Sequence, residues 1–232
     1  MNNLEPNIQT QLFGLKRFLN ELIQLYEKDT LPNKILLSGQ KGIGKATMSY
    51  HLINYILSKE EDFKYDIDKS EINVENRSFK TIQNKSNLNF FLIDINADKK
   101  FIDINQIREL ILKLNKSSFN DKPRFVLIDN IEYLNVNSIN ALLKILEEPT
   151  YNVHFILINN NKKVLPTLLS RCINFKISLT HNESLDITEK LFNKKLEQVL
   201  NHDLINFYAT PGSLYKMSLF MSCQVMIAKV WI

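Results

Sequence analysis

Ten residues constrain this chain more than any others: Ser38 to Thr47 read SGQKGIGKAT. They complete a short apolar run, KILLSG, and open KATMSYHLINYILSK, whose apolar positions recur at helical spacing. Strand, glycine loop and helix, in that order, is the setting in which the pattern G-x-x-x-x-G-K-[ST] cradles phosphate. Gly39, Gly44 and Lys45 keep the spacing, with Gly42 between them. The whole chain has 5 glycines, so three in one loop mark a place where backbone must turn tightly or come close to a ligand. Backbone N–H groups there can point at phosphate, Lys45 can neutralise its charge, and the helix dipole adds to the pull. Position 46, however, is Ala46, and the hydroxyl arrives one residue late as Thr47. One step along a helix rotates a side chain by about 100°, so Thr47 is expected to miss the magnesium ion that the pattern's hydroxyl holds.

Around this loop the chain alternates between strand-like and helix-like segments. LKRFLNELIQLYEKD (15–29) places Leu15, Phe18, Leu19, Leu22, Leu25 and Tyr26 on one helical face and ends before Pro32. FFLIDI (90–95), RFVLIDN (124–130), VHFILINN (153–160) and the run after LPTLLSRC read as further strands. DINQIRELILKLNKSS (103–118) and NSINALLKILEEP (137–149) read as helices, the latter stopped by Pro149. The alternation predicts an α/β fold with a parallel sheet flanked by helices. From Lys59 to Asn89 the chain is polar and aperiodic, the mark of either an insertion or a mobile loop. After residue 180 only helical segments remain, ESLDITEKLFNKKLEQVL and LINFYATPGSLYKMSLF, which predicts a second, small helical domain. MSCQVMIAKVWI, at the end, has no amphipathic face.

Composition excludes several classes. A chain of 232 residues, 44% hydrophobic and 23% charged, is an ordinary soluble globular composition. Its net charge of +4 comes without Lys/Arg runs that alone would argue for nucleic-acid binding. Two cysteines, Cys172 and Cys223, are too few for a disulfide framework or a four-ligand zinc site. With no signal-like start and no apolar run near 20 residues, a cytoplasmic, non-membrane protein is expected. DINADKKFIDIN (94–105) offers Asp94, Asn96 and Asp98 in calcium-loop spacing, but Lys99 replaces the required glycine and Asn105 the closing Glu. No metal site is expected.

Two further residues carry candidate chemistry. Asp129 ends an apolar strand, where a carboxylate can order a metal's water shell in Walker B fashion or simply cap local structure. A hydrolase of this kind needs a second acid next to it, and Asn130 stands there; Glu132 comes later, on the wrong step of the chain. Arg171, in SRC (170–172), is placed to act as an arginine finger or to form an ordinary surface ion pair.

Together these blocks resemble the clamp-loader AAA+ family, and within it the delta-prime type of bacterial DNA polymerase III. NALLKILEEPTYNVHFILINNNKKVLPTLLSRC (140–172) is similar to the family's N-A-L-L-K-x-L-E-E-P block running to its S-R-C motif. GQKGIGKAT and DINQIRELILKL match upstream, and ATPGSLYK (209–216) is similar to the G-S-x-R-A segment of the lid. The resemblance implies an AAA+ P-loop domain over 1–179, with 59–89 a variable insertion in place of a zinc module. It implies a small helical lid over 180–220 and an atypical tail over 221–232, with the family's collar domain missing or truncated.

In function, the resemblance implies a stationary, ring-completing subunit in sliding-clamp loading during DNA replication. Arg171 would be the catalytic contribution, an arginine finger acting in trans on a neighbouring ATPase subunit. Gly39, Gly42, Gly44, Lys45 and Thr47 would form a degenerate nucleotide loop, with Asp129 Walker B-like. The sensor-1 polar residue falls at Asn159 to Asn161, and Leu214, Tyr215 and Lys216 stand where a sensor-2 Arg is expected. No cofactor is assured: ATP or ADP bound without efficient hydrolysis is one alternative, and zinc is not expected, because 59–89 has no cysteine. Implied partners are the gamma/tau ATPase subunits and the delta subunit, and through the complex the sliding clamp and primed DNA. Neither ATPase nor polymerase activity is expected of the chain alone; a polymerase label would belong to the DNA polymerase III holoenzyme. Two rivals are an active gamma/tau-like ATPase in which Thr47 serves magnesium, and a degenerate, truncated remnant.

Overall fold

The computed structural model describes residues 4–96, 99–148, 151–200 and 205–219. Five strands form one parallel sheet: β1 (Lys34–Ser38), β2 (Phe90–Ile93), β3 (Arg124–Ile128), β4 (Val153–Asn159) and β5 (Ile173–Lys176), in the order β2-β3-β4-β1-β5. The five runs read as strands in the sequence are these five. β3 is buried along its whole length because neighbours lie on both sides and helices cover both faces.

Alternate residues of β1, β3 and β4 feed two different cores. Ile35, Leu37, Phe125, Leu127, Ile156 and Ile158 pack against α1 (Lys16–Glu27), α2 (Lys45–Leu57) and α3 (Arg77–Gln83). Leu36, Val126, Ile128, Phe155 and Leu157 face α4 (Ile104–Leu114), α5 (Val136–Glu147) and α6 (Pro166–Leu169). The result is a three-layer α/β/α sandwich. Local chemistry sets the helix ends: Asp103 and Gln106 form a capping box at α4, and Asn135 caps α5 through the Ser138 N–H. Arg124, buried at the start of β3, donates to the Leu114 and Lys116 carbonyls and so satisfies the C-terminal end of α4.

The segment 59–89 is packed against the core, not a mobile loop. Tyr65, Ile72, Phe79 and Ile82 are buried in the core that covers α2. Asn76 caps α3, accepts from Asn54 Nδ2 at 3.0 Å and donates to the Phe63 carbonyl at 2.7 Å. His51 of α2 meets the Tyr65 hydroxyl at 2.9 Å, and the chain at Thr10 and Leu12 bonds to Ile72 and Ser70. Side chains from α2 therefore supply the order that the segment's own sequence lacks.

Beyond residue 180 the long helix expected from ESLDITEKLFNKKLEQVL is corrected to α7 (His181–Phe192) and a single 3-10 turn at Leu196–Gln198. Asn193 adopts the left-handed conformation (φ 52°) and ends α7. A last helix, α8, covers 211–219. Leu196, Leu200 and Leu214 form a small separate core here. Asp98, Pro149 and the tail MSCQVMIAKVWI with Cys223 lie outside the described residues.

Candidate nucleotide-type site

The chain leaves β1 for the far edge of the sheet at β2, returns through β3 and β4, and then places β5 on the other side of β1. Where strand order reverses in this way, the C-terminal ends of the strands open a crevice. Here it has a volume of about 500 Å³ and is lined by the glycine loop, Asp129, Asn130 and Asn160. The N-terminal segment, with Pro6 and Phe13, and α7 and α8, with Ile187 and Tyr215, close its apolar side.

Gly42 and Gly44 both have positive φ, 87° and 95°, and Gly44 is the N-cap of α2. A side chain at either would be strained, which is why glycine stands at these turns. Lys45 is 3% exposed, and its ammonium donates to the Gly39 carbonyl (2.9 Å), the Gln40 carbonyl (2.7 Å) and Asn160 Oδ1 (3.0 Å). Burial lowers its pKa to about 8, opposed by the negative charge of Asp129 and Glu132. Ala46 packs partly buried against the core under α2, and Thr47 lines the crevice.

The acidic side of the crevice is a connected network. Asn130, left-handed at φ 58°, donates from Nδ2 to Asp94 Oδ1 at 2.8 Å and accepts from Asn160 Nδ2 at 2.9 Å. Asn160 Nδ2 also donates to Glu132 Oε1 at 2.9 Å. Within the window Asn159 to Asn161, it is Asn160 that faces the site; Asn159 is used up in a turn with Lys162. Glu132, which the sequence placed on the wrong step of the chain, is brought behind Asn160 by the left-handed turn at Asn130 and the 3-10 turn Ile131–Tyr133, and it is not among the residues that line the crevice. Asp94 was passed over as part of a rejected calcium loop, although a carboxylate at the C-terminal end of a strand beside Asp129 was the available signal.

Asp129 accepts from the Asn130 N–H at 2.8 Å, yet its pKa is pushed up to about 6, first by burial and then by Asp94. The folded protein thus favours the protonated carboxyl. That favourable contribution is complete below pH about 4 and is lost as pH rises through about 6. Asp129→Asn, which mimics the protonated form, is expected to stabilise the fold by about 1–3 kcal/mol at pH 7.5, less whatever Lys45 loses with its counter-charge. The gain should vanish toward pH 4, as read by urea unfolding at both pH values.

Arg171 lies elsewhere. The pairing of Ile35 with Ile173 puts it at the N-terminal end of the strands, whereas Gly39 follows their C-terminal ends. At about 3.3 Å per residue the separation is roughly 20 Å, too far for one side chain. Arg171 forms an ion pair with Glu147, the last residue of α5, and Nη1 donates to the Thr167 carbonyl at 2.8 Å. Among the described residues no group of His, Cys, Asp and Glu could hold a metal ion, and no helix is long and apolar enough to cross a membrane.

Residues 14–181, more than half of the chain, match the family described as DNA polymerase III, delta subunit. The chain belongs to that family. Among its relatives, the DNA polymerase III subunit gamma of Buchnera aphidicola (subsp. Schizaphis graminum) is 26% identical over 78% of this chain and 47% of that protein. The subunit delta' of the same organism is 27% identical over 78% of this chain and 53% of its own length. The gamma/tau subunit of Mycoplasma genitalium is 30% identical over 71% of this chain and 26% of that protein. The chain thus spans about half or less of the length of these relatives. In structure it is similar to the Thermotoga maritima RuvB Holliday junction branch migration motor, with a TM-score of 0.55, 14% identity, and coverage of 97% of this chain and 68% of the other. At that identity the likeness shows the fold alone: a parallel sheet flanked by helices. Family membership places the chain with subunits of DNA polymerase III.

Proposed function

We propose that this chain is a delta-prime-type clamp-loader subunit that completes a ring without hydrolysing ATP itself and presents Arg171 to the ATP site of a neighbouring gamma/tau-type subunit. One observation carries this reading: Arg171 lies at the opposite end of the sheet from its own glycine loop, so it cannot reach a nucleotide held there. The cis site agrees. Ala46 supplies no magnesium hydroxyl, and Asn130, where a catalytic acid would stand, is a carboxamide tied to Asp94 and Asn160. Gly39, Gly42, Gly44, Lys45 and Thr47 keep the shape of a nucleotide loop, with Asp129 as the Walker B-like acid. The reading also divides the chain near residue 180 into a P-loop domain and a small lid, which the separate Leu196, Leu200 and Leu214 core supports. Partners would be gamma/tau and delta subunits, and through them the sliding clamp and primed DNA, in the cytoplasm.

A second reading, an active ATPase, draws on Thr47 lining the crevice and on the carboxylate of Glu132 reaching Asn160 beside it. Turnover separates the two. The isolated chain is expected to release no phosphate from magnesium–ATP above background, and to join gamma/tau and delta subunits of its own organism in one sedimenting complex. Turnover by the isolated chain would establish the ATPase instead, and failure to assemble would leave a remnant of the family.

A further inference from the structure

The ion pair at Arg171 bears on how such a finger would be held before use. Glu147 ends α5, where the helix's negative pole already attracts a cation. Lys144 stands one turn back on the same helix, yet among the described residues the only ion pair of Glu147 is with Arg171, and the only ion pair of Arg171 is with Glu147. The Thr167 carbonyl of α6 holds a second edge of the guanidinium. The Arg171 side chain keeps 32% of its surface exposed and that of Glu147 51%, so an incoming anion has access to both.

We propose that Glu147 is a counter-anion that parks Arg171 against the end of α5 and must be displaced by a phosphate of the neighbouring subunit's nucleotide. This rests on the trans-finger reading above. A guanidinium fork binds carboxylate and phosphate oxygens in the same way, so the two compete for one set of donors. A polyphosphate carries more charge than one carboxylate and wins, while the Thr167 carbonyl keeps the side chain anchored. Glu147 is therefore a positioning residue whose charge opposes binding of the neighbour's ATP. Because the displacement is needed for ground state and transition state alike, removing the charge acts on KM and not on kcat.

The test uses the assembled ring with wild-type chain, Arg171→Ala, Glu147→Gln and Glu147→Asp, with assembly confirmed by sedimentation. Glu147→Gln keeps the size and a hydrogen-bond acceptor but loses the charge; it is expected to lower KM for ATP at the adjoining site roughly two- to fivefold at unchanged kcat, the range of an exposed ion pair. Glu147→Asp should hold KM at the wild-type value. If Arg171→Ala slows the adjoining site while Glu147→Gln leaves KM where it was, the parking contact is overturned and the finger stands. If Glu147→Gln loses kcat as Arg171→Ala does, Glu147 presents the finger instead of restraining it. Should Arg171→Ala change nothing in an intact ring, the trans-finger reading falls and takes this one with it.

Discussion

Replacing Arg171 by alanine is expected to slow ATP hydrolysis at the site it faces by on the order of a thousandfold, while the ring still assembles. The size follows from what a guanidinium does beside a transferring phosphoryl group: two fixed N–H donors, already on the phosphate when ATP is bound, meet charge that grows in the transition state, an effect worth about 10³ or more in kcat. The stability cost should be small, because the residue is partly exposed and its ion pair with Glu147 is worth at most about 1 kcal/mol. Loss of rate with retained assembly therefore separates chemistry from folding. Since other sites of a ring would continue to turn over, the measurement is single-turnover phosphate release, in which the phase from the adjoining site should nearly disappear. Arg171→Lys is expected to recover little, since a point charge lacks the planar fork. An unchanged release profile in a fully assembled ring would remove the argument from the strand register.

The sequence made the sheet legible because parallel strands covered on both faces read as nearly continuous apolar runs, as β1, β3 and β4 do. The helices within 103–118 and 137–149 were legible from the helical period of their apolar residues, whereas the capping box at Asp103 and Gln106 came from the structure. The segment 59–89 was not legible, because Tyr65 and Ile72 lie outside any regular element and the segment owes its order to partners outside it, such as His51 and Asn54 of α2. The break in the helix after 192 carried a readable signal, an asparagine followed by two lysines, but helical periodicity outweighed it. In the crevice, Gly39, Gly44 and Lys45 were fixed by spacing alone. Asn160 was narrowed only to a run of three asparagines, because which of them turns inward depends on the turn that Asn159 makes with Lys162. The contact of Glu132 with Asn160 was not legible for a conformational reason: a left-handed residue at Asn130 resets the step of the chain.

Gly212→Ala is expected to separate α8 from the glycine loop, and the direction of its stability change identifies the cause. The Gly212 N–H donates to the Gly42 carbonyl at 2.9 Å, and Thr210 Oγ1 donates to the Lys41 carbonyl at 2.9 Å, so the start of α8 is clasped to the loop. A Cβ at Gly212 would lie 2.9 Å from Gly42 Cα and 3.0 Å from its carbonyl oxygen, both backbone atoms that cannot rotate away. Gly42 in turn is held at φ 87°, with Thr210 Oγ1 beside it. Helix propensity alone would make alanine in α8 stabilising by up to about 1 kcal/mol. Steric exclusion from the loop should reverse that sign, to a net loss of about 1–3 kcal/mol if α8 stays docked under strain. If α8 instead releases, the loss should be confined to that region, with little change in global unfolding. Amide exchange distinguishes the two outcomes: on release, protection should fall at 41–45 and 210–216 together and remain at β3 and β4. Ser213→Ala, which removes only a hydroxyl contact with Thr210, should leave both segments protected. Unchanged exchange at 41–45 in Gly212→Ala, with a gain in stability, would mean that this backbone contact does not hold the helix to the loop.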